Sequence, residues 1–191
     1  MKHKGTVALE TERLILRKFN AYDAEAVFRN WASDDAVTKF LTWPTHKTVD
    51  HSAGYLEFCL NSYNDADSYQ WGIVLKETGE LFGNISVVKI NEDLEAVELG
   101  YVIGRKYWGN GYMAEAVKSV IAFLFEEVGV NRIAARHDTN NPNSGRVMQK
   151  AGMKYEGTYR QGDRNNQGIV DCAVYSILKR EYYNNGNTEN T

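Results

Sequence analysis

Apolar segments joined by short turns run as far as Ile103, and the chain then passes through Trp108-Gly-Asn-Gly-Tyr112 into an amphipathic stretch closed by Gly129. This change of period restricts the fold more than any other feature. Before it, Gln70–Lys76, Leu81–Ile90 and Glu95–Ile103 are strand-like. The short links Thr78-Gly79 and Asn91-Glu-Asp93 make these three an antiparallel meander. After it, Met113, Ala116, Val117, Val120, Ile121 and Leu124 share one face of a helix from Tyr112 to Val128. Arg132–His137 is strand-like again. A helix of that length between two strands is a crossover, so Glu95–Ile103 and Arg132–His137 should run parallel.

Around this centre, Arg13–Phe19 predicts a strand. Tyr22–Ser33 predicts a helix with Ala26, Val27, Asn30 and Trp31 inward, and Val49–Tyr63 a second with Ala53, Leu56, Cys59 and Leu60 inward. Asn143–Ala151 predicts a short helix stopped by Gly152, followed by strands Met153–Tyr159 and Ile169–Leu178. The sum is an α+β fold: a mixed, mostly antiparallel central sheet with flanking helices and one parallel pair near its middle. Residues 1–183 read as one domain and the polar, non-periodic residues 184–191 as a frayed tail.

Composition narrows the class. The net charge of −3 and the lack of any basic run argue against a nucleic-acid partner. No apolar run has the length of a membrane helix, and Met1-Lys-His-Lys-Gly5 is not followed by the apolar run of a secretory signal. Cys59 and Cys172 form neither a Cys-x-x-Cys nor a metal-ligand pattern, so reduced thiols, a cytoplasmic location and no metal are expected.

Gly109-Asn-Gly111 opens a helix directly after a strand. Unpaired amides and aligned peptide dipoles at such a helix start attract an anion, and glycines let a diphosphate come close. The bland alternative is a tight turn without a ligand. A P-loop would need Lys-Ser/Thr where Tyr112-Met113 stands. Gly109-x-Gly111-x-x-Ala114 formally matches a dinucleotide fingerprint, but that fold needs several βαβ units and this chain offers one.

Ala96-Val-Glu-Leu-Gly-Tyr-Val-Ile103 with Tyr107-Trp-Gly-Asn-Gly-Tyr-Met-Ala-Glu-Ala116 resembles the central motif of the GNAT N-acetyltransferases. Asn141-Pro-Asn-Ser-Gly-Arg-Val-Met-Gln-Lys-Ala-Gly-Met153 resembles their next motif. Leu9-Glu-Thr-Glu-Arg-Leu-Ile-Leu-Arg17 and Glu156-Gly-Thr-Tyr-Arg160 narrow the resemblance to the ribosomal-protein N-terminal (Rim-type) branch, over about Leu9 to Tyr182. The resemblance implies acetyl-CoA as cosubstrate and a parallel pair that splays. The pantetheine arm would lie beside Tyr101, Val102 and Ile103, with Gly100 as the bulge residue. The diphosphate would sit on the loop of Trp108, Gly109, Asn110, Gly111, Tyr112, Met113 and Ala114, and Asn141 would bond the arm. Trp108 and Met113 depart from the wider family's Gln/Arg and Gly/Ala.

Acetyl transfer to an amine needs a base, an oxyanion site and a proton for the leaving thiolate. Glu98, two residues before Gly100, is the candidate base, acting through water; a salt-bridged strand carboxylate is the other reading. Ser144 is the candidate acid, as the Rim-type resemblance implies, because Met148 stands where many relatives carry a Tyr; a helix cap is the other reading. His137 fits a strand-end role better than an acid/base one. Trp43, Tyr55, Tyr69 and Trp71 are candidates to wall an acceptor groove, or core. Asp34, Asp35, Asp65 and Asp67 are candidate attractors of a cation, or simply solvated loop acids. Asp171 and Tyr175 match family positions without a defined role. The acceptor class is left between a protein N-terminus and a small-molecule amine, the assembly between monomer and homodimer. A catalytically silent CoA-binding or protein-interaction domain is the alternative function.

Overall fold

The computed structural model describes residues 1–186. Its strands are β1 (Leu9–Glu10), β2 (Leu14–Arg17), β3 (Gln70–Leu75), β4 (Leu81–Asn91), β5 (Ala96–Ile103), β6 (Arg132–Asp138), β7 (Lys154–Asn165) and β8 (Gly168–Leu178). Among the described residues they make one eight-stranded sheet in the order β1-β2-β3-β4-β5-β6-β8-β7. The helices are α1 (Ala24–Val27), α2 (Asp35–Thr38), α3 (Val49–Ser62), α4 (Tyr112–Phe123, continued by a π-turn to Val128), α5 (Pro142–Lys150) and α6 (Lys179–Gly186). Every strand pair is antiparallel except β5–β6, which the α4 crossover makes parallel. No described helix is long and apolar enough to cross a membrane.

Strand alternation sends side chains to two apolar clusters. The larger joins the α4 stripe, buried as its period predicts, to Leu14, Leu16, Trp71, Ile73, Phe82, Ile85 and Leu99. The smaller joins Val27, Trp31, Leu56 and Cys59 to Phe19, Val74, Leu81 and Val102. Each fully buried large side chain contributes about 1.5–3 kcal/mol relative to exposure.

The feature that places the site is where β5 and β6 part. Ala96–Leu99 pair with Arg132–Ala135, and pairing stops there although both strands continue. Residues 100–103 stay paired with β4, and 136–138 with β8. The facing strand edges therefore diverge into a gap. A bulge sits at the same level, but in β4: Val87 opposes Leu99 and Lys89 opposes Glu98, leaving Val88 as the extra residue. Gly100 is thus not the bulge residue; it is the neighbour that makes room, since a Cβ there would lie 2.8 Å from Val88 Cγ1. An extra residue bends its strand and increases twist, which carries β5 away from β6.

Several other expectations are corrected. Tyr22–Ser33 is not one helix. Asn20 caps a 3₁₀ turn, Ala21–Asp23, that leads into α1. Phe28–Ala32 then forms a π-turn closed by Ser33 N to Phe28 O (3.1 Å). The extra residue in that turn lets Asn30 Nδ2 reach the Leu81 carbonyl at 2.6 Å. Asp34 caps α2, a helix the sequence pattern does not show. On α3 the inward residues are Ser52, Leu56 and Cys59, while Ala53 and Leu60 face solvent. β7 runs past Tyr159 to Asn165 because Gln161, at φ 51°, loops out and lets pairing resume at Asp163. Asn184 to Gly186 belong to α6 rather than to a frayed end; residues 187–191 lie outside the described part.

Candidate active site

The glycine loop is held open at a helix start. Gly111 is the N-cap of α4 with φ 79°, the left-handed region that a side chain resists, and no side chain caps the helix. The first amides of α4 are therefore free for an anion. The Asn110 side chain, though exposed, folds back on its own loop and donates to the carbonyls of Tyr107 and Trp108, both at 3.2 Å. Trp108 lies back over β5, donating Nε1–H to Ile103 O at 2.9 Å. Met113 is buried in the core.

This loop forms one wall of a cavity of about 680 Å³. Tyr101, Val102 and Ile103 form the β5 wall, and Asn141, Ser144 and Val147 the α5 wall. Of the loop residues, Trp108, Gly109, Gly111, Tyr112, Met113 and Ala114 line it; Asn110 does not. The volume lies in the range of small-molecule sites.

A second cavity, also about 680 Å³, lies beside the first. Its floor is Asn84, Ser86, Glu98 and Gly100, and its walls include Trp31, Trp43, His46 and Tyr55 on one side and Arg136 to Asp138, Asp163 and Asn165 on the other. Of the four aromatic residues expected as walls, Trp43 and Tyr55 line this cavity. Tyr69 and Trp71 are core residues, 1% and 0% exposed. The walls are tied together by Asn166 in the β7–β8 turn: its N–H donates to Leu41 O (3.0 Å) and its Nδ2 to Thr38 O (2.9 Å) and Trp43 O (2.8 Å). Asp34, Asp35, Asp65 and Asp67 line neither cavity; Asp34 instead pairs with Arg105 at 2.9 Å.

The cavities meet at Tyr101, Val102, Asn141 and Ser144, with Phe40 and Leu41 above. Asn141 holds the cap position of α5, so Ser144 is not the cap. Ser144 Oγ instead lies 3.0 Å from the Tyr101 hydroxyl, which is also 3.0 Å from Ser144 O. Burial pushes the Tyr101 phenol far above its ordinary value, outweighing the bond to Ser144, so it stays protonated at neutral pH.

Glu98 lines the second cavity as an ion-paired carboxylate. Its Oε1 is 2.7 Å from Arg136 Nε, and Asp163 Oδ2 is 3.5 Å from the same nitrogen. His137 Nδ1 donates to Asp138 O at 2.7 Å, while its Nε2 is buried against α5 without a partner. Asp171 accepts from Gln161 N (2.8 Å), and Tyr175 packs on His137 with ring centroids 5.7 Å apart.

Sequence reasoning missed a knot behind the glycine loop. Glu115, in the first turn of α4, accepts from Thr11 Oγ1 (2.6 Å), Arg13 N (3.0 Å) and Arg13 Nε (2.7 Å). Arg13 Nη1 donates to Asn110 O at 3.1 Å, and the guanidinium stacks 4.5 Å over Tyr112. Burial opposes ionisation of Glu115, but the bonds from Thr11 and Arg13 outweigh it and its carboxyl is held below the ordinary range. Thr11 and Arg13 stand in the motif Leu9–Arg17, yet nothing local shows that they meet residue 115. Arg136 and Asn166 were missed for the same reason.

The sequence profile of the acetyltransferase (GNAT) domain matches residues 13–154. The uncharacterized N-acetyltransferase YoaA of Bacillus subtilis is 33% identical over 171 residues, 90% of this chain and 96% of that protein. The [Ribosomal protein uS5]-alanine N-acetyltransferase of Escherichia coli is 27% identical over 158 residues, 79% of this chain and 80% of that one. A crystal structure of a GNAT-family acetyltransferase from Bacillus anthracis superposes with a TM-score of 0.80 at 28% identity, covering 91% of this chain and 99% of that one. With the splayed pair and the uncapped glycine-loop helix, these matches identify the chain as a member of the GNAT family of acetyltransferases.

Proposed function

We propose that the chain moves an acetyl group from acetyl-CoA directly to a primary amine, with both substrates bound at once. The observation that carries this reading is the meeting of two cavities at the splay. The first, with free helix amides at its wall, suits the anionic cosubstrate; the second suits the amine. The fit rests on those amides and on a lining without a carboxylate.

The amine must shed a proton before it attacks. Lysine amines titrate near 10.4 and α-amines near 8, so both are mostly protonated at pH 7. Glu98 and Asp163 bracket Arg136 on the amine side and supply carboxylates for that proton, through water. The neutral nitrogen then bonds to the thioester carbon, the C–S bond breaks, the sulfur takes one proton, and the second proton, shed by the acylated nitrogen, replaces the one given to the sulfur. Ser144 is placed at the junction to give the sulfur its proton. Tyr101 donates its hydrogen to the Ser144 carbonyl and its oxygen accepts from Ser144 Oγ, which holds the serine hydroxyl at the junction, from where its hydrogen can turn to the sulfur. A covalent acetyl-cysteine route is disfavoured: Cys59 and Cys172 line neither cavity, and burial pushes both thiols up to about 11.

Two measurements test this. Acetyl-CoA at about 100 times its Kd should add about 2.7 kcal/mol, or about 5–10 °C in Tm for a domain of this size. Thiol should also appear when acetyl-CoA is mixed with a panel of small amines and N-terminal peptides. A shift in Tm without thiol release across the panel would mark a silent CoA-binding domain. No shift at all would remove acetyl-CoA from the account.

Asn166→Ala tests the acceptor side alone. Losing its two side-chain bonds should cost about 1–2 kcal/mol. It should raise KM for the amine several-fold and leave KM for acetyl-CoA unchanged. Equal change in both constants would mean that the second cavity is not the acceptor site.

A further inference from the structure

Every charged side chain on the lining of the first cavity is a cation. Arg146 and Lys150 are the two, in a chain whose net charge is −3. Among the described residues neither forms an ion pair, whereas Arg13, Arg17, Arg105, Arg132 and Arg136 all do. The Arg146 guanidinium makes one long contact, 3.4 Å to Asn143 Oδ1. The two cations stand one turn apart on α5, where like charges repel unless something neutralises them. Both are exposed, so neither is needed by the core.

Their place along the crevice says what that something is. α5 begins at the junction, where Ser144 meets Tyr101. Lys150 stands six residues further on, about 9 Å along the helix axis. The free amides of α4 form a separate anion site. On the acetyl-CoA reading, the thioester occupies the junction and the diphosphate the α4 amides. Coenzyme A carries one further anionic group, the monoester phosphate on the ribose 3′ oxygen. We propose that Arg146 and Lys150 form a subsite for that 3′-phosphate, so that the enzyme distinguishes coenzyme A from dephospho-coenzyme A. Two charge-assisted contacts to one dianion at a solvent-facing mouth give a preference that ionic strength weakens.

The protein and the double variant Arg146→Gln/Lys150→Gln are titrated with CoA and with dephospho-CoA at low and high ionic strength. Glutamine keeps helix propensity, and an unchanged Tm verifies the fold. The unaltered protein should bind CoA at least about tenfold more tightly than dephospho-CoA at low ionic strength, with the ratio shrinking as salt rises. The variant should bind the two within about twofold of each other, with dephospho-CoA bound as tightly as by the unaltered protein. Equal binding by the unaltered protein overturns the subsite and leaves the acetyl-CoA reading standing. So does a variant that keeps the preference. A variant that loses both ligands equally would assign the cations to the diphosphate and also overturn it. If neither ligand binds the unaltered protein, the acetyl-CoA reading falls, and the subsite with it.

Discussion

Ser144→Ala should lower kcat about 10²- to 10³-fold and leave KM for acetyl-CoA within about threefold. The hydroxyl sits where the two cavities join and shares a 3.0 Å contact with the Tyr101 phenol; in the proposed mechanism it serves the leaving sulfur rather than binding the cosubstrate. Tyr101→Phe keeps the ring and removes the hydroxyl behind Ser144. It should slow kcat by about tenfold, the cost of a proton donor less well oriented rather than absent. Single-turnover thiol release with saturating amine reads both. If Ser144→Ala turns over at the normal rate, water protonates the sulfur and the serine only positions α5. Glu98→Gln in the same assay separates the base from the acid: a carboxylate shared with Arg136 and backed by Asp163 should matter less than Ser144.

Glu115→Ala should loosen the glycine loop from behind. The carboxylate is 20% exposed and accepts three hydrogen bonds from Thr11 and Arg13. Arg13 also holds the Asn110 carbonyl. Bonds to a charged group are strong, but Arg13 is 42% exposed and screened, so a net cost of about 2–3 kcal/mol is expected. For a domain of this size that is about 5–10 °C in Tm. Without the knot, the α4 amides lose their fixed aim, and Kd for acetyl-CoA should rise about 10- to 100-fold. The effect also depends on pH. The Glu115 carboxyl titrates below its ordinary value of 4.5 in the folded chain, so its stabilisation is complete above that value and is lost as pH falls through the lowered one. The Tm gap between the unaltered protein and Glu115→Gln should therefore be constant near neutrality and narrow below pH 4.5. A gap that is flat into strong acid would show that Glu115 is not ion-paired.

The parts of this molecule that were legible in the sequence are those written in one unbroken period. The α4 stripe has no interruption, so Met113 to Leu124 fell on the core face as read, and the parallel pair followed from the crossover. Where residues are added within an element, period fails. The π-turn at Phe28–Ala32 split an expected helix, and Gln161 hid the continuation of β7. The bulge was placed on Gly100 because a strand glycine is its commonest local sign, but the extra residue is a valine on the neighbouring strand. At the site, the candidate catalytic and cofactor-binding residues line one or other cavity, Asn110 excepted, whereas Asp171 and Tyr175 line neither. The bonds among them were not readable: Tyr101 meets Ser144 across 43 positions and Arg13 meets Glu115 across 102. Such pairs obey no spacing rule, since only the folded sheet brings them together.

The added valine at position 88 has a bearing on how tolerant this centre is to change. Its own side chain is 58% exposed, so what stands there matters little to the core. That something stands there matters a great deal. Taking one link out of the chain at that point would let Lys89 slide back one step along β5, straighten the ladder and draw the parted strands together. The width of the opening proposed for acetyl transfer is thus tied to the number of residues in β4, and insertions or deletions there should disturb it more than substitutions do.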